Sequence, residues 1–260
     1  MNILEKLRPR RAVVDQVQIS EEDGIRSLHL GSETVQSSMR ISAPNELVLS
    51  YTRAMMCFLL FDGAPKRVAM LGLGGGSLAK FVYHQLPTAK LVVVENSTQV
   101  ITAARQHFHV PENDQRFEVV AGDGAEWVRM HAHSCDVLLV DGYDGRRKVE
   151  EFCTPQFYAA AAAALAPHGL LVVNLWSSDP RFDDLVRRIE AAFNGQVVLT
   201  PSLRHGNIIA MAFARARGPV LWSELLATAV QLKIRYGLEF PQFVEGMRRL
   251  NPHTDKWLLI

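Results

Sequence analysis

With 260 residues and 48% hydrophobic side chains, the chain is long enough for one large domain, or for a domain with a small appendage. Its 28 basic and 27 acidic residues leave a net charge of +1, which removes the electrostatic case for nucleic acid or an anionic membrane as the main partner. Three scattered cysteines without a CxxC pair indicate neither a disulfide framework nor a zinc site, and the nine histidines show no HxxxH or HExxH spacing.

No apolar run has the length of a signal peptide or a membrane span, so the expectation is a cytoplasmic protein that uses no metal. The basic cluster Lys6 to Arg11 reads as a solvated tail. Residues 1–43 form an N-terminal β segment. Within it, the β-like runs Val13 to Ile19 and Ile25 to Leu30 flank the polar turn Ser20 to Gly24, which predicts a hairpin or small sheet. Residues 44–260 form the larger unit. Leu47 to Leu60 follows Pro44, is apolar at helical spacing, and predicts a largely buried helix.

From Val68 a regular alternation begins, with strand-like runs at 68–71, 91–95, 117–121, 136–141 and 170–174. Helical segments lie between them, including Thr98 to Phe108 and a helix from Thr154-Pro155 through the alanine tract to near Gly169. This pattern predicts βαβ units and a parallel sheet buried on both faces. After the helix opened by Asp179-Pro180, the runs 196–200 and 207–213 are too close for a crossover helix and should pair antiparallel. Five parallel strands and a terminal hairpin give a Rossmann-like α/β sheet of seven strands, the layout of the class I S-adenosylmethionine-dependent transferases. Residues 219–250 read as C-terminal helices covering an edge or forming a subunit contact.

The turn after the first parallel strand carries Gly72, Gly74, Gly75 and Gly76, then Ser77 where a dinucleotide fingerprint wants its last glycine. Such a turn lets backbone amides and a helix N-terminus approach a nucleoside-like ligand. Glu95 ends the second strand, in place to accept from ribose hydroxyls. Asp123, followed by Gly124, ends the third, in place to accept from an adenine amino group. Either carboxylate can equally be a helix N-cap. Asp141 and Asp144 close the fourth strand as an anionic pair suited to hold a cationic amine and take a proton from it; the bland alternative is a strand-end cap and an Asx turn. Trp127 and Trp176 can stack on a purine or simply pack, and no Gly-x-Ser-x-Gly elbow or P-loop is present.

The segment LLVDGYDG…EEFCTPQFY (138–158) resembles the spermidine synthase pattern of strand, D-x-x-D, gate loop and LFTxEFY. LAPHGLLVVN (165–174) resembles its L-x-P-G-G strand, and GSETVQSS (31–38) its LDGxxQ segment. The resemblance covers about residues 12–215 and implies aminopropyl transfer from decarboxylated S-adenosylmethionine to a small amine such as putrescine, with release of methylthioadenosine. It implies Asp141 as base, shared with the nucleoside site, and Asp144 as a catalytic and amine-holding residue. Gln36 falls at the glutamine that touches the nucleoside, and Tyr51, with Tyr143, on the amine side. A homodimer is the implied assembly.

The chain departs from that pattern in three places. Gly75 stands where the family's G-G-G-D-G-G turn has an aspartate for the ammonium of the decarboxylated co-substrate. Thr52-Arg53 replaces His-Glu after the tyrosine, and the gate loop carries Arg146, Arg147 and Lys148. Arg53 or this loop can face an anionic group, or be solvated surface. Two alternatives stay open: a methyltransferase using intact S-adenosylmethionine on the same fold, and a catalytically silent nucleoside-binding homologue.

Overall fold

The computed structural model describes residues 17–31, 33–144, 147–148, 150–204 and 206–260, with backbone alone at 143, 144, 147 and 148. The tail Lys6 to Arg11 and the start of the run at Val13 lie outside the described residues. Strands β1 (Val17–Glu22), β2 (Ile25–Leu30) and β3 (Val35–Arg40) form an antiparallel sheet in that order. The predicted turn is reduced to Asp23 and Gly24, at φ 49° and 72°. Two consecutive left-handed residues suit a two-residue hairpin because their twist matches that of the strands they join.

The apolar run after Pro44 divides into α1 (Ser50–Met55) and a 3-10 helix, Met56–Leu60. Residues 54–60 are all buried, so no amphipathic face selects between the two hydrogen-bonding patterns. The alternation that follows gives β4 (Arg67–Leu71), α2 (Ser77–Gln85), β5 (Lys90–Glu95), α3 (Thr98–Phe108), β6 (Phe117–Ala121), α4 (Gly124–Met130) and β7 (Cys135–Val140). A two-strand ribbon, β8 (Tyr143–Asp144) and β9 (Arg147–Lys148), precedes a 3-10 turn at Glu150–Cys153 and α5 (Pro155–Ala164). Then come β10 (Leu165–Trp176), α6 (Phe182–Ala192), β11 (Val197–Pro201) and β12 (Asn207–Phe213).

The large sheet has the order β6-β5-β4-β7-β10-β12-β11. β12 runs antiparallel to both β10 and β11, as the short connection requires. Alternate residues feed two cores, which explains the near-continuous Val/Leu runs. Val68, Met70, Val137, Leu139, Leu170 and Val172 face the side of α2, α3 and the C-terminal helices. Ala69, Leu71, Leu138, Val140, Leu171 and Val173 face α4, α5 and α6.

Two helix boundaries differ from the expectation. α5 stops at Ala164 rather than near Gly169, because Leu165 is already extended and pairs with Cys135. Pro167 also keeps its predecessor out of the helical region. α6 starts at Phe182, since Asp179 Oδ1 accepts from the Arg181 amide and completes a turn ahead of the helix. The C-terminal helices α7 (Trp222–Tyr236) and α8 (Phe240–Leu250) cover the first core, and β13 (Val220–Leu221) pairs with β14 (Trp257–Leu258) beside them.

Leu28 and Met39 of the small sheet pack on Ala103 and Phe108 of α3. Lys80 of α2 ties this junction together. Its Nζ donates to the Pro44 and Phe108 carbonyl oxygens, both at 2.6 Å, and lies 3.3 Å from Met39 Sδ. The side chain has no exposed surface, and burial lowers its pKa from 10.5 to about 8. A lysine whose folded pKa lies below its unfolded one makes stability rise with pH between the two, because only the unfolded chain still binds the proton there. Relative to Lys80→Met, the wild-type protein should therefore gain up to about 1 kcal/mol per pH unit above pH 8 in urea titrations. The comparison cancels the opposing effect of buried Cys57 and Cys135, whose thiols burial pushes up. A stability difference independent of pH from 7 to 9.5 would contradict it.

Candidate active site

The chain leaves β4 for β5 and β6 on one side and returns to β7 on the other, so the strand order reverses between β4 and β7. Outside the carboxyl ends of two such strands a crevice opens, the usual ligand site of an open α/β sheet. The glycine turn leaves β4 there. Gly72, Gly74 and Gly76 adopt φ of 92°, 52° and 71°, values that a side chain strains against. A Cβ on Gly72 would lie 2.5 Å from the Asp141 carbonyl oxygen, so the turn passes directly over the end of β7.

Gly75 behaves differently. It is buried, and a Cβ there would meet Ser37 Oγ at 2.8 Å and Phe108 Cδ1 at 2.9 Å. Ser77 stitches the same seam, its Oγ 3.3 Å from both Ser37 Oγ and the Ser38 carbonyl oxygen. The strand that carries Gln36 is thus pressed against the outer side of the turn.

Glu95 is 8% exposed; Oε2 accepts from the Leu73 amide and Oε1 from the Ser97 amide, each at 2.9 Å. The carboxylate shapes the glycine turn from within, and each oxygen keeps a further lone pair for a ligand donor. Asp123 is exposed and its Oδ1 accepts from the Glu126 amide at 2.8 Å, which makes it the N-cap of α4. Gly124 is buried under Phe152, whose Cζ would lie 3.0 Å from a Cβ there. The same ring lies 2.3 Å from the Cβ position of Gly142, so Phe152 wedges between the strand ends as a wall of the crevice.

Asp141 is the most constrained group. Tyr51 donates its hydroxyl to Oδ2 at 3.1 Å, and Asn174 donates Nδ2 to Oδ1 at 3.0 Å. The Tyr51 hydroxyl also lies 3.4 Å from the Gln36 carbonyl oxygen, joining α1, β3 and the end of β7 at one point. Asn174 Oδ1 in turn accepts from Asn207 Nδ2 at 2.9 Å. A carboxylate held by two donors, at the mouth of the crevice and touching the glycine turn, can accept a proton from a cation bound there. No strand-end pattern in the sequence marks Asn174 or Asn207 as a partner of Asp141, and Phe152 enters there only as the first residue of the segment after the gate loop. The side chains of Tyr143 and Asp144 lie outside the described residues, as do those of Arg147 and Lys148 and the whole of Arg146.

The Arg53 guanidinium pairs with Glu239 at the start of α8. Trp127 stacks on His131, ring centroids 4.1 Å apart. Among the described residues no helix is long and apolar enough to cross a membrane, and no cluster of His, Cys, Asp and Glu could hold a metal.

The chain is 44% identical over 255 residues, 98% of each protein, to the polyamine aminopropyltransferase of Chromobacterium violaceum. It belongs to the polyamine aminopropyltransferase family. The spermine/spermidine synthase domain matches residues 48–216, a span that holds every site residue above except those of β3. The chain is accordingly a transferase, of the aminopropyl-transferring class. Its fold is similar to that of a probable spermidine synthase from Corynebacterium glutamicum, at a TM-score of 0.70 with 21% identity over 89% of this chain and 91% of that one. It is also similar to human methyltransferase-like protein 13 in complex with SAH, at 0.63 with 22% identity over 80% and 96%. The aminopropyltransferase and methyltransferase architectures are therefore one scaffold.

Proposed function

We propose that this aminopropyltransferase uses decarboxylated S-adenosylmethionine as co-substrate and putrescine, or an amine of that size, as acceptor. The observation that carries the reading is the Asp141 carboxylate, fixed by Tyr51 and Asn174 where the glycine turn crosses β7. Gly72, Gly74, Gly75, Gly76 and Gln36 would line the nucleoside, Glu95 would accept from the ribose, and Asp123-Gly124 would border the adenine. Asp141 would take the proton of the acceptor ammonium. The freed nitrogen lone pair then forms the C–N bond at the carbon next to the sulfonium, and the C–S electrons pass to sulfur. The products are neutral methylthioadenosine and the extended amine. Asp144, Tyr51 and Tyr143 would hold the amine. The proposed setting is a cytoplasmic homodimer.

One observation favours a second reading. Position 75 has no room for the aspartate that the family pattern places against the co-substrate ammonium, because Ser37 and Phe108 occupy that space. Intact S-adenosylmethionine, and methyl transfer, would not need that carboxylate. Calorimetric titration with both forms of the co-substrate and with methylthioadenosine, followed by product analysis with putrescine and spermidine, separates the readings. The expected result is tighter binding of the decarboxylated form, by about tenfold or more, and release of methylthioadenosine. Formation of S-adenosylhomocysteine would overturn the proposal in favour of the second reading. Binding without turnover would leave a silent homologue.

A further inference from the structure

Asn174 lies near the carboxyl end of β10, just past its last residue paired with β7, and Asn207 begins β12; they are 2% and 4% exposed. Because β12 runs antiparallel to β10, its first residue reaches the carboxyl edge of the parallel strands, where Asp141 lies. The chemistry of the three groups fixes the direction of their hydrogen bonds. An ionised carboxylate only accepts, so Asn174 must turn its NH₂ to Asp141; its carbonyl then faces Asn207, which must present NH₂ in turn. The distances are 3.0 Å for the first link and 2.9 Å for the second.

We propose that Asn174 and Asn207 are positioning residues for the Asp141 base. They form a one-directional donor chain that holds the carboxylate ionised and oriented toward the acceptor amine. Neither asparagine touches the reacting atoms in this scheme. Asn207 acts only by fixing which end of the Asn174 amide faces Asp141, and burial strengthens both links. Among the described residues, the other titratable group in hydrogen-bond contact with the carboxylate is the Tyr51 hydroxyl from α1; the glycines of the turn present backbone alone, and the side chain of Asp144, on the same segment, lies outside the described residues. The catalytic meaning of the chain rests on the function proposed above, but its electrostatic effect on Asp141 does not.

The test therefore has two readouts. Carbon-13 NMR of labelled aspartate, with the Asp141 carboxyl assigned by its loss in Asp141→Asn, follows the titration of the base whether or not the enzyme turns over. Asn174→Asp replaces a donor with a second acceptor, and like charges at that separation push one carboxyl upward. Its Asp141 titration should move up by about one pH unit or more. Asn207→Leu, which leaves the Asp141 contacts untouched, should move it in the same direction by a smaller amount. In the kinetic assay Asn207→Leu should lower kcat about tenfold with KM for the nucleoside co-substrate unchanged.

An unmoved Asp141 titration in folded Asn207→Leu overturns the proposal, and so does an equal loss of nucleoside binding and turnover. Shifted titrations in a protein that transfers no aminopropyl group uphold the chain and overturn the function. If Asn174→Asp does not fold, Asn207→Leu alone decides between these outcomes.

Discussion

Asp141→Asn is expected to lower kcat by about a thousandfold at pH 7, with methylthioadenosine affinity within about threefold of wild type. The substitution is nearly isosteric, and its surroundings can accommodate it. The new amide oxygen can still accept from Asn174, and the Tyr51 hydroxyl, a donor to Oδ2 in the native protein, can rotate to accept from the new NH₂. The backbone also stays in register, because the Asp141 amide donates to the Leu71 carbonyl at 3.0 Å regardless of the side chain. The loss is thus confined to proton removal. An aliphatic ammonium titrates near 10, as a lysine side chain does, so its neutral fraction rises about tenfold per pH unit below that. The variant's rate should follow that rise from pH 7 to 9, whereas the wild-type enzyme, which makes its own free amine, should respond far less. A variant with undiminished kcat, or one whose rate ignores pH, would remove Asp141 from the role of base.

The parts of the site that were legible in the sequence are those read off strand ends. Glycines after the first strand and carboxylates closing the second, third and fourth must share an edge once the strands are parallel, so Gly72, Glu95, Asp123 and Asp141 could be placed together without knowing a single contact. The terminal hairpin was legible because six residues cannot cross a sheet. Asn174 and Asn207 were not, since each is a lone asparagine and their meeting depends on β12 inserting between β10 and β11. Phe152 is one aromatic among many until the chain folds it against Gly142 and Gly124. Lys80 sits in a helix where lysine ordinarily faces water, and nothing local announces that two carbonyl oxygens from distant segments will surround it. The role of Arg53 stayed open because its partner, Glu239, lies 186 positions along the chain.

Gly72 and Gly74 look equivalent in the sequence, and the structure separates them sharply. Gly72→Ala is expected to cost about 3 kcal/mol or more of stability and to lower kcat about a hundredfold in the fraction that folds. At φ 92° an alanine is strained wherever it stands, and here its methyl would lie 2.5 Å from the Asp141 carbonyl oxygen and 3.2 Å from its carbonyl carbon. Neither strand end can retreat. The Gly72 amide is bonded to Val94 O at 2.9 Å on one side, and the Asp141 amide to Leu71 O on the other. Relief must come from moving the Asp141 backbone, which carries the carboxylate away from Tyr51 and Asn174. Gly74 also has positive φ, 52°, but a Cβ there meets only Ser37 Cβ at 3.6 Å, an ordinary contact. Gly74→Ala should therefore cost only the backbone strain, about 1 kcal/mol, and leave the Asp141 network in place. Thermal unfolding and steady-state kinetics of the two variants side by side measure the difference. Equal behaviour would mean that the contact between the glycine turn and β7 does not hold the base in position.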